Sequence, residues 1–297
     1  GGHMATEATS SARVPQPTSA GANDAGFDQH VDRAVEMLAG RLVTVLTGAG
    51  VSTDSGIPDY RGAGALPRNP MTFQQFMSDT RYRKRYWAGS HLGWPMFSAA
   101  EPNPGHAALA EMEARGILNG IITQNVDGLH LRAGSRRVVD IHGSLDRVLC
   151  LVCGQTFARV DVAARLDDAN PWLTDPEAFE LAPDGDVEVK DIDNFIVPDC
   201  TVCGGRLKPD VVFFGEFIPT EKFTEASALV HSAGALLIAG SSLMVNSGIR
   251  LLDQAVKRKL PIVIVNRGTT KGDPRANIKI DAGTTETLTA LAQRLQA

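Results

Sequence analysis

Apolar residues in this chain come in two textures. Short, largely apolar stretches at 42–46, 117–123, 138–141, 211–214, 235–239, 262–265 and 278–280 are rich in Val, Ile and Leu. Such runs predict strands buried on both faces, as in a parallel sheet. Between them, apolar residues recur every three or four positions. This period predicts helices over 28–39, 72–87, 104–115, 220–232 and 247–258, and a last one carrying Leu288, Leu291 and Leu295. In the first, Val31, Ala34, Val35 and Leu38 share one face, and Gly40 is the stop signal. Thr72 with Gln75 makes a capping-box start for the second. Strands alternating with helices predict an α/β fold, a Rossmann-like doubly wound parallel sheet.

Several predicted strands end on polar clusters. The first ends in Gly48-Ala49-Gly50, where glycine lets a backbone approach a pyrophosphate. As a dinucleotide fingerprint it is imperfect, because Thr53 stands where G-x-G-x-x-G needs glycine. A plain tight turn fits the glycines equally well. The continuation through Ser52, Ser55 and Gly56-Ile57-Pro58-Asp59-Tyr60-Arg61 exceeds what a turn needs. Other strands end in Gln124-Asn125-Val126-Asp127, His142-Gly143-Ser144, Gly240-Ser241-Ser242 and Asn266-Arg267-Gly268. Ligands of open parallel sheets bind at these carboxyl ends. A lone histidine is most often structural, yet the position of His142 among the other polar ends points to catalysis. Residues 62–71 read as a loop beside the cofactor site. The 72–87 helix mixes Phe73, Phe76, Tyr86 and Trp87 with basic residues. It is either a solvated basic face or a wall that meets an acidic group on a substrate.

Charge and cysteines narrow the class. A formal net charge of -5 and a pI near 5.8 do not favour non-specific nucleic-acid binding. No apolar run approaches the ~20 residues that span a bilayer. Gly1-Gly2-His3-Met4 reads as an expression-tag remnant, and 1–26 as a disordered tail; no signal peptide follows, so a cytoplasmic protein is expected. The four cysteines fall as Cys150-x-x-Cys153 and Cys200-x-x-Cys203, the spacing of one structural zinc in a ribbon. A redox dithiol is the competing reading, and two pairs weigh against it. Residues 154–199 read as an irregular, partly acidic insert. The expected division puts the sheet in 27–61, 105–146 and 208–297. A smaller domain takes 62–104 (helical) and 147–207 (zinc ribbon).

Taken in order, Gly48-Ala49-Gly50-Val51-Ser52, Gly56-Ile57-Pro58-Asp59-Tyr60-Arg61, Thr123-Gln124-Asn125-Val126-Asp127, His142-Gly143-Ser144, the cysteine pairs, Phe214-Gly215-Glu216, Gly240-Ser241-Ser242-Leu243 and Val265-Asn266 resemble the sirtuins. These are NAD-dependent protein lysine deacylases, and the likeness covers about 28–296. Arg85-Tyr86-Trp87, Gly93-Trp94-Pro95, the run at 181–187 and Lys208-Pro209-Asp210 resemble the class II branch, which includes a mitochondrial sirtuin linked to lipoamide and branched acyl groups.

The resemblance implies that the acyl-lysine oxygen attacks the nicotinamide ribose of NAD, consuming it and yielding acyl-ADP-ribose. It implies His142 as general base, with Asn125 and Asp127 in the catalytic set. Gly48, Ala49, Gly50, Ser52, Asp59, Tyr60, Arg61, Gln124, Val126, Gly240, Ser241, Ser242, Asn266, Arg267, Gly268 and Thr284 would face the cofactor. Val212, Phe214, Gly215, Glu216, Leu243 and Val245 would hold the acyl-lysine peptide as an added strand. Two departures stand out. Tyr60 replaces the Phe common in that motif, and Gly89 stands where a desuccinylating Tyr-x-x-Arg pair has its Arg, so strong desuccinylation is not expected; Arg81, Arg83 or Arg85 are the candidates to substitute in space. Mono-ADP-ribosyl transfer at the same centre, and a non-catalytic NAD or zinc-ribbon module, are the competing functions.

Overall fold

The computed structural model describes residues 25–58, 70–174, 179–181, 187–189 and 191–296. In chain order, α1 (Ala25–Leu38) leads into β1 (Val43–Thr47) and a 3-10 turn at Ala49–Ser55. Helices α2 (Phe73–Ser78), α3 (Thr80–Ala99) and α4 (Pro104–Ala114) precede β2 (Leu118–Thr123), α5 (Leu129–Arg132) and β3 (Val138–Asp140). Next come β4 (Gly143–Cys150), β5 (Thr156–Ala158), α6 (Arg159–Ala169), β6 (Phe179–Leu181), β7 (Val187–Val189) and β8 (Leu207–Val211). The last third is α7 (Thr220–Ser232), β9 (Ala235–Ala239), α8 (Asn246–Lys257), β10 (Ile262–Val265), β11 (Ile278–Ile280) and α9 (Thr284–Arg294).

The main sheet runs β11-β10-β9-β1-β2-β3, and every pairing in it is parallel. Every residue of β1 and β9 is buried; β9 is an unbroken apolar run, while in β1 the buried Thr44 and Thr47 hydroxyls are hydrogen-bonded. Leu38 of α1, Leu109 and Met112 of α4, and Leu288 and Leu291 of α9 cover one face. Leu229 of α7 and Leu251 and Leu252 of α8 cover the other. This is the doubly wound sheet that the alternation predicts. Its strand order reverses between β1 and β9, and that switch point is where such sheets open a crevice. The register sets Thr47 level with Thr123 and Ala239, and Ala239 level with Val265. Gly48, Gln124, Gly240 and Asn266 therefore follow in one row along the carboxyl edge.

At the switch point two glycine turns interlock. The Gly50 amide donates to Gly240 O at 2.8 Å, and the Gly48 amide donates to Ala239 O at 3.1 Å. A Cβ on Gly48 would sit 2.7 Å from Gly240 O, and one on Gly240 would sit 2.5 Å from the Val51 nitrogen. Gly240 also has φ +70°, a conformation that L side chains rarely adopt.

Sequence and structure part company in four places. The tail expected through residue 26 gives up Ala25 and Gly26 to α1, whose first turn is anchored by buried Phe27. The single 72–87 helix is two. Asp79 is extended, and its carboxylate accepts the Arg81 amide at 2.8 Å, capping α3, which runs on to Ala99. The insert is more regular than expected: Val162, Ala163 and Leu166 seat α6, and β6 pairs with β7 in a hairpin. The fourth difference concerns β8, which was expected to return to the parallel sheet. It instead pairs antiparallel with β4 in a separate sheet ordered β5-β4-β8. The cause lies at Gly143. Its φ of +85° and its closeness to Asp210 O turn β4 out of the main sheet and bring 207–211 alongside. This sheet packs on its own cluster, including Phe76, Trp87, Val148, Leu166 and Phe213. Arg147 ties it back to the main sheet, pairing with Asp210 at 2.9 Å and with Asp140 of β3 at 3.2 Å; Lys222 of α7 also pairs with Asp140. Among the described residues no helix is long and apolar enough to cross a membrane.

The four cysteines meet at the end of this small sheet, with all four sulfurs within 4.8 Å of one another. The amides of Cys153 and Val152 each donate to Cys150 Sγ at 3.4 Å, which pulls that thiol down toward the thiolate a metal takes. Four thiols and no open ligand position suit a structural zinc.

Two outcomes follow. Zinc removal by chelation, or Cys150→Ala, should lower unfolding free energy by about 3 kcal/mol at a metal excess of about a hundredfold over Kd; denaturant titration with metal analysis checks it. Gly240→Ala should destabilise by about 2 kcal/mol or more, since a methyl there meets backbone in an unfavourable φ region; the same titration reads it.

Candidate active site

Beyond the interlocked glycines, the row at the carboxyl edge is knitted by side chains. Asn125 donates to Gly48 O at 2.9 Å, and Ser241 donates to Gln124 Oε1 at 2.7 Å. Thr284, at the start of α9, donates to Gly50 O at 3.1 Å. Ser52 is buried behind Asp127 and donates to its Oδ2 at 2.6 Å; Asp127 Oδ1 accepts the Leu129 amide at 3.0 Å. Ser52 Oγ in turn takes Asn125 Nδ2 at 3.5 Å and lies 3.3 Å from His106 Nε2. Its hydrogen-bonding capacity is thus used within the chain, and it supports Asp127 rather than facing the crevice.

His106 and Asn103, which the sequence reading passed over, brace this site from behind. Asn103 caps α4 and reaches Val51 O at 2.8 Å, and its amide donates to His106 Nδ1 at 3.0 Å. An acceptor role at Nδ1 puts the proton on Nε2, toward Ser52. Burial pushes the His106 imidazole down, with Asp127 pulling against it. His130, against it at 5.1 Å between ring centres, is pushed down to about 3 by burial. Thr47, Thr123 and His130 join in a buried hydroxyl–imidazole chain with contacts of 2.8 Å. The available signal was Asn103-Pro104-x-His106, a cap whose N3 residue is a histidine.

His142 is half-buried at the end of β3. Its Nδ1 lies 3.1 Å from Gln124 O and its Nε2 lies 3.2 Å from Ser247 Oγ. A carbonyl only accepts, so the proton sits on Nδ1, and the Nε2 lone pair is the basic one. An imidazole so oriented can take a proton from a hydroxyl. Among the described residues Gln124 Nε2 is buried without a hydrogen-bond partner, against Gly248 at the start of α8. The side-chain-free glycine turns, with Asn125 and Asp127 beside them, fit a dinucleotide.

Other predicted site residues fall in different places. Asp59, Tyr60 and Arg61 lie outside the described residues, as does 62–69 of the loop. Ala49 is exposed on the turn, and Val126 is half-buried with its carbonyl on the Leu145 amide. Ser242 holds the Lys271 amide through its carbonyl. Asn266 donates to Arg267 O, Gly268 takes Asp281 through its amide, and Arg267 pairs with Glu286, so this corner is braced within itself.

Neither 212–216 nor 243–245 is a paired strand, although the Val212 amide donates to His142 O at 2.8 Å and Phe214 O accepts from Phe73. Phe214 and Gly215 are exposed. Glu216 folds back instead, accepting the Phe213 amide at 2.9 Å and pairing with buried Lys208 at 3.0 Å. Leu243 has φ +59° and is buried, its amide donating to Ser241 Oγ at 3.2 Å; Val245 is half-buried and caps α8.

Of the arginines named as replacements for the missing one, Arg83 is committed to the carbonyls of Phe76 and Met77. Tyr86 is packed among Phe76, Trp87 and Phe213, and burial pushes its hydroxyl up to about 12. Arg159, also missed by the sequence reading, stacks on Trp87 and Trp94 at 5.5 and 4.7 Å.

Comparison with known proteins agrees with this geometry. Residues 48–247 match the model of the Sir2 family. The chain is 50% identical over 265 residues to an NAD-dependent protein deacetylase 1 of Mycobacterium avium, covering 88% of this chain and 94% of the relative. It is 45% identical to the Bos taurus mitochondrial NAD-dependent protein lipoamidase sirtuin-4, over 86% of this chain and 83% of that one. A solved complex described as "Sir2-p53 peptide-NAD+" superposes with a TM-score of 0.71 at 32% identity, covering 87% of this chain and 95% of that chain. With the switch-point crevice, the oriented histidine and the four-thiol site on the same chain, this protein belongs to the Sir2 family and is an NAD-dependent protein deacylase with a structural zinc.

Proposed function

We propose that the protein removes acyl groups from lysine side chains presented as an extended strand between 212–216 and 243–245, and that it prefers lipoyl or branched glutaryl groups to acetyl. The observation that carries the reaction is the tautomer of His142, whose basic nitrogen is aimed by Gln124 O on the opposite side of the ring. NAD, when bound, supplies a ribose carbon from which nicotinamide departs. The chain supplies the rest. Gly48, Ala49, Gly50 and Gly240 let the phosphates approach backbone, with Ser241, Ser242 and Thr284 beside them. Asn125 and Asp127, held by Ser52, orient the ribose and nicotinamide end. Asn266, Arg267 and Gly268 take the adenosine end. His142 Nε2 accepts the proton of a ribose hydroxyl.

Acyl preference rests on the 45% identity to a relative named a lipoamidase. Unpaired thiols grouped for a metal suit a reducing compartment, and a cytoplasmic site of action is part of the proposal.

A mass-spectrometric screen tests this reading on one lysine peptide carrying acetyl, lipoyl, succinyl or branched glutaryl. Lipoyl or branched glutaryl should turn over faster than acetyl, with succinyl weak, each releasing acyl-ADP-ribose. Equal or better acetyl turnover sinks the preference. ADP-ribose found on protein rather than on acyl sinks the deacylase reading. His142→Ala should lose about a hundredfold or more in turnover, the usual size of a general-base contribution, with NAD binding and zinc content retained.

A further inference from the structure

The structure sets the Ser247 hydroxyl against the basic nitrogen of His142, and the proposed mechanism gives it no part. It is 4% exposed and lies in the first turn of α8, with Oγ 3.2 Å from Nε2. Because Nδ1 carries the proton, Nε2 can only accept there, so the Ser247 hydroxyl donates. The imidazole is thereby bracketed through both ring nitrogens, by the carbonyl ending β2 and by the hydroxyl opening α8.

The two sides of the bracket are bound to each other. Ser241 donates to Gln124 Oε1 at 2.7 Å, and the Leu243 amide donates to Ser241 Oγ at 3.2 Å. Leu243, at φ +59°, turns the chain into α8. At the next contact a Cβ on Gly248 would lie 3.0 Å from Gln124 Nε2 and 2.9 Å from Leu243 Cδ2, so α8 begins pressed against residue 124. Ser247 is carried on a frame that cannot drift far from the residue fixing the other ring nitrogen.

We propose that Ser247 is a positioning residue for the general base. Its hydroxyl holds the His142 ring in the rotamer that points Nε2 at the crevice, and yields that nitrogen when a ribose hydroxyl arrives. The O–H bond that breaks is the ribose one, and the N–H bond that forms is on Nε2, so Ser247 keeps its own proton. The inference rests on the deacylase reading for its kinetic consequence, but not for its geometric one.

Loss of nicotinamide precedes any need for a base, so Ser247 should matter after that step and not before it. Ser247→Ala should lower kcat for deacylation by about three- to tenfold, the effect of one neutral hydrogen bond. KM for NAD, the rate of nicotinamide exchange and the melting temperature should stay within error or within about twofold. Ser247→Thr, which keeps the hydroxyl, should restore most of the kcat. Independently of turnover, the ring nitrogen-15 shifts of His142, identified by their loss in His142→Ala, should show Nδ1 protonated in the wild type. The Nε2 resonance should move in Ser247→Ala. Unchanged kcat and unchanged shifts overturn the proposal. A parallel fall in exchange, KM and melting temperature assigns Ser247 to structure alone and overturns it as well. Wild-type protein without deacylation would sink the deacylase reading, while the nitrogen shifts would still decide the place of Ser247.

Discussion

Close backbone approach at the switch point governs this structure. The turns after β1 and β9 lie so near that their glycines hydrogen-bond directly, Gly50 to Gly240, where any side chain would strike main chain. The rest of the site is measured from that contact. Asn125 reaches Gly48 O, Thr284 reaches Gly50 O, and Gln124 is tied to Ser241 next to Gly240. Groups from four separate stretches of chain hold their places because two strand ends share one van der Waals boundary.

Much of this was legible before any coordinates. Strands β9 and β10 stand at the predicted bounds because continuous burial leaves an unbroken apolar run, and that signal has few imitators. The strand-end clusters converged because level register follows from parallel pairing. The sequence was mute where pairing is settled by a single backbone angle. Nothing in 207–214 announces that these residues leave the main sheet; the decision is made at Gly143, more than sixty residues earlier. It was mute also on Asp79, a charged residue among charged residues whose carboxylate ends one helix and begins another.

Within the site, residues that would touch a ligand were easier to read than those that hold them. Asn125, Asp127 and His142 follow strands and stand out. His106 and Asn103 sit inside a helix start, where a cap explains them without reference to function. Only the distances show that the same imidazole closing the cap also meets Ser52 behind Asp127. Ser52 was read as a cofactor contact and stands one layer back. Spatial neighbours in different segments leave no periodic mark, and their order in the chain carries no hint of who supports whom.

Lys208 carries a consequence of its own. Its side chain is 5% exposed, with the ammonium bonded to Pro209 O and Val211 O, paired with Glu216 and lying over the Phe213 ring at 4.6 Å. Burial also weakens its hold on the proton, with Glu216 pulling the other way. Lysines are the groups on which this protein acts, and an amine becomes acylated only when a reactive donor can reach it. The lysine that shapes the 211–216 segment is closed to such donors.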